Sequence, residues 1–201
     1  MKINTLKVVS AFPVILSAFS FTATANESAL ADAIERQDDR AIGQLLDQRT
    51  SVNEPQVDGM TALHWAAYHD DLDLVQKLIN AGAEVNAENR YGIPPLSLAA
   101  TNANSYIVKA LVDAGADASK SLAGGETMLM IAARTGSLLA VDLLIDAGAD
   151  VNALDDKEQT ALMWSAAEGH AEIVRSLIDS GADIHHTLGS GFTPLLFAVR
   201  E

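Results

Sequence analysis

The 201 residues carry 13 Lys and Arg against 27 Asp and Glu, a formal charge of −14, and no cysteine. This acidic balance argues against nucleic acid or an anionic membrane as partner, because phosphate contacts need clustered cations. The missing thiols exclude disulfides, thiolate catalysis and Cys-ligated zinc.

The chain opens with Lys2 and Lys7. Val8 to Phe21 follows as an apolar run of 14 residues, interrupted only by Ser10, Pro13, Ser17 and Ser20. Ala23-Thr24-Ala25 then places small residues where a signal peptidase reads. Residues 1–25 are therefore expected to be a secretory signal peptide, cleaved after Ala25. A retained anchor is the competing reading. It fits less well, because a spanning helix needs about 20 apolar residues and this run is shorter and holds a proline. Cleavage would leave 176 of the 201 residues with a charge near −16, since the leader holds two cations and no acid. Nothing after residue 25 is long and apolar enough to span a bilayer.

From Asn26 onward a fixed period governs. Gly59, Gly92, Gly125 and Gly191 stand 33 or 66 residues apart, and each opens a similar phrase: Thr61-Ala-Leu-His64, Pro94-Pro-Leu-Ser97, Thr127-Met-Leu-Met130, Thr193-Pro-Leu-Leu196. Thr160-Ala-Leu-Met163 keeps the register behind Glu158. A second phrase runs in step: Ala81-Gly-Ala-Glu-Val-Asn86, Ala114-Gly-Ala-Asp117, Ala147-Gly-Ala-Asp-Val-Asn152, Ser180-Gly-Ala-Asp-Ile-His185. The units are 26–58, 59–91, 92–124, 125–157, 158–190 and a partial 191–201. Such a period marks stacked supersecondary units, each closing its core against its neighbours.

Each unit reads as helix, turn, helix and a long loop. In the second, Thr61 caps a helix over Ala62–Tyr68, Asp70-Asp71 turns, and Leu72–Asn80 forms the second helix, stopped by Gly82. The loop then projects as a hairpin-like finger. Apolar columns recur at Leu63, Leu96, Leu129, Leu162 and Leu195; at Ala66, Ala99, Ala132 and Ser165; at Val75, Val108, Val141 and Val174; and at Leu78, Leu111, Leu144 and Leu177. Trp65 and Trp164 share an inner-helix column with Leu98 and are read as core. The first unit is degenerate and polar, with Arg49 where a glycine is expected, and reads as a cap. At the other end Leu195, Leu196, Phe197 and Val199 lack a covering second helix, so the sequence reads as part of a longer frame, with a natural half-repeat as the alternative.

Thr-x-Leu, the Ala-Ala pairs, Gly169-His-Ala-Glu-Ile-Val174 and Gly148-Ala-Asp-Val-Asn152 together resemble the ankyrin-repeat family from about Asn26 to Glu201. The resemblance implies an all-α solenoid of helix-turn-helix units with finger loops. It also implies that His64 ties an inner helix to a finger. Ser97, Met130, Met163 and Leu196 replace that histidine elsewhere, so the other fingers are expected to be held less tightly. Pro94 replaces a capping Thr, and Glu158 replaces a finger glycine.

Family partners dock on a concave face of finger tips and inner helices. Carried over by position, that face is Val57, Asp58, Met60, Tyr68, His69, Glu88, Arg90, Tyr91, Ile93, Thr101, Asn102, Ala123, Glu126, Arg134, Thr135, Leu154, Asp156, Lys157, Gln159 and Glu168. Met60, Tyr68, Arg90, Tyr91 and Ile93 form its richest patch, because Tyr and Arg are frequent at interface hot spots. Scattered surface residues without a partner are the plainer alternative. No catalytic constellation, phosphate loop or zincin pair occurs. His185-His186 is the one adjacent histidine pair and reads as surface rather than metal site, and the acids lack calcium-loop alternation.

The expectation is a monomeric, non-enzymatic protein-binding scaffold, without cofactor or metal, periplasmic or secreted. The alternatives are a repeat region of a larger exported enzyme or receptor, and a secreted effector.

Overall fold

The protein is described by a computed structural model covering residues 28–48, 50–191 and 193–194. The proposed leader, Arg49 and the apolar residues Leu195 to Val199 lie outside these residues. Among the described residues there are ten helices: α1 (Ala29–Glu35), α2 (Asp39–Asp47), α3 (Ala62–Tyr68), α4 (Leu72–Asn80), α5 (Pro95–Thr101), α6 (Ser105–Asp113), α7 (Met128–Thr135), α8 (Leu138–Asp146), α9 (Ala161–Ala167) and α10 (Ala171–Asp179). They form five antiparallel pairs. Inner helices pack in the order α1–α3–α5–α7–α9 and outer helices in the order α4–α6–α8–α10.

The columns explain the stacking. Ala66, Ala99, Ala132 and Ser165 are wholly buried, and with no bulk on that side the inner helices approach closely. Leu78, Leu111, Leu144 and Leu177 fill the gap behind them and are equally buried. Removing each such side chain from water contributes roughly 1.5–3 kcal/mol. Neither helix of a pair, at seven to nine residues, is long enough to be stable alone in water. Trp65 and Trp164 depart from the core reading. Both are only half-buried and pack at the rim of the core, as Leu98 does in the same column.

Caps set the helix ends. Thr127 and Thr160 accept hydrogen bonds from the amides of Met130 and Met163. Asp38, Asp71 and Asn104 cap the outer helices from the turn. At Pro94 no side chain caps the helix amides, and the Ser97 hydroxyl instead donates to the Pro94 carbonyl at 3.0 Å. The turn between paired helices uses a left-handed residue in every unit: Gln37, Asp70, Ala103, Gly136 and Gly169.

Each finger is a tight hairpin. The Gly59 amide donates to the Gln56 carbonyl and the Gln56 amide to the Met60 carbonyl. The same two bonds recur at Asn89–Ile93, Leu122–Glu126 and Asp155–Gln159. This is a turn closed by a left-handed residue in a bulge. Glu158 adopts that conformation in place of glycine, at φ 62°. Its carboxylate accepts from the Gly189 amide at 3.2 Å and its carbonyl lies 2.7 Å from the His186 Nε2.

Neighbouring loops are stitched by side-chain amides. Asn53 donates to the Gly82 carbonyl and accepts from the Glu84 amide. Asn86 treats Gly115 and Asp117 identically, as Asn152 does Gly181 and Asp183. The register places Ser119 at the remaining step.

Candidate functional site

The face made by finger tips and inner helices is built from α1, α3 and the fingers at residues 56–60 and 89–93. Its centre is Trp65. The indole N–H donates to the Gln56 Oε1 at 2.6 Å, and the Gln56 amide nitrogen donates to Asp32 Oδ1 and Glu35 Oε2, each at 2.8 Å. Gln56 thus fixes the first finger to the first inner helix. Tyr68, one helical turn along α3, meets Trp65 edge-on at 5.5 Å, and His69 stacks on Trp65 at 5.8 Å. The His69 Nδ1 lies 3.0 Å from the Gln37 amide nitrogen.

The residues carried over from the sequence fall into three groups. Tyr68 is 54 % exposed and Tyr91 67 %, and Val57 stands entirely in solvent. Arg90 is exposed with its guanidinium 5.8 Å from the Tyr91 ring centroid, and Lys157 is exposed on the fourth finger. These side chains reach solvent. A second group is tied up in structure. Asn102 donates to the Ala67 and Tyr68 carbonyls, closing the end of α3. Glu88 pairs with Lys120 at 2.6 Å. Glu126 pairs with Arg134 at 2.8 Å, and Arg134 covers the Trp164 ring at 5.3 Å. Ile93 is half-buried, and its carbonyl faces His64. Met60 is a correction: at 8 % exposure it belongs to the core. The finger's hairpin turns its side chain inward, where Sδ meets the Asn89 amide at 3.5 Å.

Gln56 was not singled out from the sequence. The equivalent positions hold Asn89, Leu122 and Asp155, so no recurring residue type marks it.

His64 is wholly buried. Its Nε2 lies 2.9 Å from the Ile93 carbonyl, which can only accept, so Nε2 carries the proton. Nδ1 then accepts from the Thr61 amide at 3.1 Å. Burial holds the imidazole below its ordinary pKa of 6.5, against the opposing pull of the Ile93 carbonyl and the Asp58 charge. Met130 in the equivalent place accepts from the Thr127 amide through Sδ at 3.5 Å but has no second atom to reach a finger. The finger behind Met130 keeps its turn bonds without that tie.

Among the described residues no three His, Asp or Glu side chains converge as metal ligands. No described helix is long and apolar enough to cross a membrane. The exposed aromatic and charged side chains are spread along the face of finger tips and inner helices.

The family model for ankyrin repeats in three copies matches residues 11–89, 30–121, 67–155 and 129–201. No curated protein matches the chain. Ankyrin repeats are generally protein–protein interaction modules and typically non-catalytic. With overlapping matches from residue 11 to residue 201, on a stack of paired helices linked by hairpin fingers, the chain belongs to the ankyrin-repeat family.

Proposed function

We propose that this protein is a non-enzymatic scaffold that binds a protein partner outside the cytoplasm, in the bacterial cell envelope, through the finger and inner-helix face of its first three units. The observation that carries this reading is the joint exposure of Val57, Tyr68 and Tyr91 on one face, in a family whose members generally bind proteins. Large apolar side chains gathered on one face of a soluble array favour a partner that covers them. The leader at residues 1–25 supports export.

Photo-crosslinkers placed at Tyr68 and at Tyr91 in the native host test the face. A discrete adduct at both, absent when the crosslinker stands at Glu172 on α10, is the expected result. Equal labelling at all three would remove the proposal. Export is tested separately by the mass of the protein recovered from the periplasm, which should begin at Asn26.

A further inference from the structure

We propose, resting on the interaction reading above, that the part of this face around Trp65 receives a cationic segment of the partner, a stretch bearing Arg or Lys beside an apolar side chain. Two independent features lead there. The first is an open cleft of about 420 Å³ between α1 and the first two fingers, lined by Asp32, Glu35, Asp58, Val57 and Arg90. Its carboxylates outnumber its guanidinium three to one, with Asp32 also 4.0 Å from the Arg36 guanidinium. Arg90 does not neutralise them, because it lies over the Tyr91 ring instead. Among the described residues, neither Glu35 nor Asp58 has a cation within ion-pair distance. Glu35 accepts only the Gln56 amide nitrogen, and Asp58 accepts the Met60 amide.

The second feature is the aromatic platform beside the cleft. Trp65 and Tyr68 meet at 89°, and the Gln56 bond to the indole holds the platform in register with the carboxylates. An aromatic ring beside the Glu35 and Asp58 carboxylates suits a guanidinium or ammonium twice over, through the ring quadrupole and through charge. Val57, fully exposed at the finger tip, offers the apolar contact for a neighbouring side chain. Nucleic acid and anionic lipid would meet like charge here.

The test uses the full protein with Trp164→Phe, which leaves Trp65 as the single indole. Peptides of repeated Gly-Arg-Leu-Ser are titrated against it, and the same peptides with Glu in place of Arg serve as the counter-probe. Tryptophan emission reports binding. The Arg peptide is expected to shift the emission, and the Glu peptide to leave it unchanged. Glu35→Gln with Asp58→Asn should weaken the Arg peptide about tenfold, as loss of two charge partners does. Because the acidic chain attracts any cation weakly, Glu172→Gln with Asp179→Asn on α10 is the control and should change nothing. Equal binding of both peptides, or equal weakening by both double substitutions, overturns the proposal. The crosslinking above separates the two levels. An adduct at Tyr68 whose partner peptide lacks Arg and Lys keeps the docking face and ends the cationic assignment, whereas no adduct on this face ends both.

Discussion

His64 shows how one buried residue can set a pH dependence. Its Nδ1 accepts from the Thr61 amide, so protonation would turn two donors against each other inside the core. The folded state therefore holds this imidazole neutral to a lower pH than the unfolded chain does. The sign follows: as pH falls below about 6.5 the unfolded chain takes up the proton first, and stability declines until the folded pKa is reached. The contribution is complete above that window. His64→Met, the residue that stands at Met130 and Met163, should flatten the loss. Urea midpoints at pH 7.5 and pH 5 check this, and an unchanged difference between the two pH values in the variant would contradict it. Ala103 carries a second single-residue effect. It is left-handed at φ 58°, where Gly136 and Gly169 stand in later units. Unlike Asp70, whose carboxylate receives the Asn104 amide, its methyl makes no compensating polar contact. Ala103→Gly should raise stability by roughly 1 kcal/mol, or about 2–4 °C in Tm for a domain of this size, read by calorimetry.

Between units, what matters is how closely one loop meets the next. A Cβ on Gly59 would stand 2.8 Å from the Asn89 Cα and 2.9 Å from the Arg90 nitrogen. The Arg90 amide donates to the Asp58 carbonyl at 2.9 Å, so the two fingers touch backbone to backbone. Gly92 is left-handed too, but a Cβ there would meet only the Glu88 carboxylate at 3.5 Å. Gly92→Ala should therefore cost the left-handed penalty alone, about 1–2 kcal/mol, and Gly59→Ala distinctly more, because backbone must move. Equal urea midpoints for the two variants would refute that ordering. The amide ladder has its own test. Ser119→Asn would place the missing carboxamide opposite Gly148 and Asp150, as Asn86 faces Gly115 and Asp117. Its two bonds should add about 1 kcal/mol, measured by urea unfolding.

The 33-residue period made the helices of the second unit legible to the residue, since α3 and α4 fall on Ala62–Tyr68 and Leu72–Asn80 as the phrases predict. The face was legible only in part. Tyr68, Arg90 and Tyr91 could be placed by register, but register says nothing of χ angles, and Met60 turned inward while Asn102 and Arg134 were engaged by neighbours. Glu158 could not be read either way. A left-handed backbone there is compatible with a side chain because that side chain finds the Gly189 amide, a contact some 30 residues away in sequence.

At the scale of the whole molecule the array has no single centre, and its cooperativity depends on nearest-neighbour interfaces. Ala132, in the inner helix α7, is the sharpest place to test that dependence. It is wholly buried where α7 packs on α5 and α9, in the column of small residues that allows close approach. Ala132→Leu forces three extra carbons into that contact and should cost about 1–3 kcal/mol. The cost falls on the coupling between the two halves rather than on either half. The two tryptophans lie one on each side of α7, Trp65 in α3 and Trp164 in α9. With Trp164→Phe the emission reports the N-terminal half, and with Trp65→Phe the C-terminal half. In the parent background both probes should trace one urea transition, because coupled units unfold together. Adding Ala132→Leu should separate the midpoints, with the half that holds the better-buried units melting last. If the two traces remain superimposed while both shift downward, the array unfolds as one block, and the nearest-neighbour account of its stability fails.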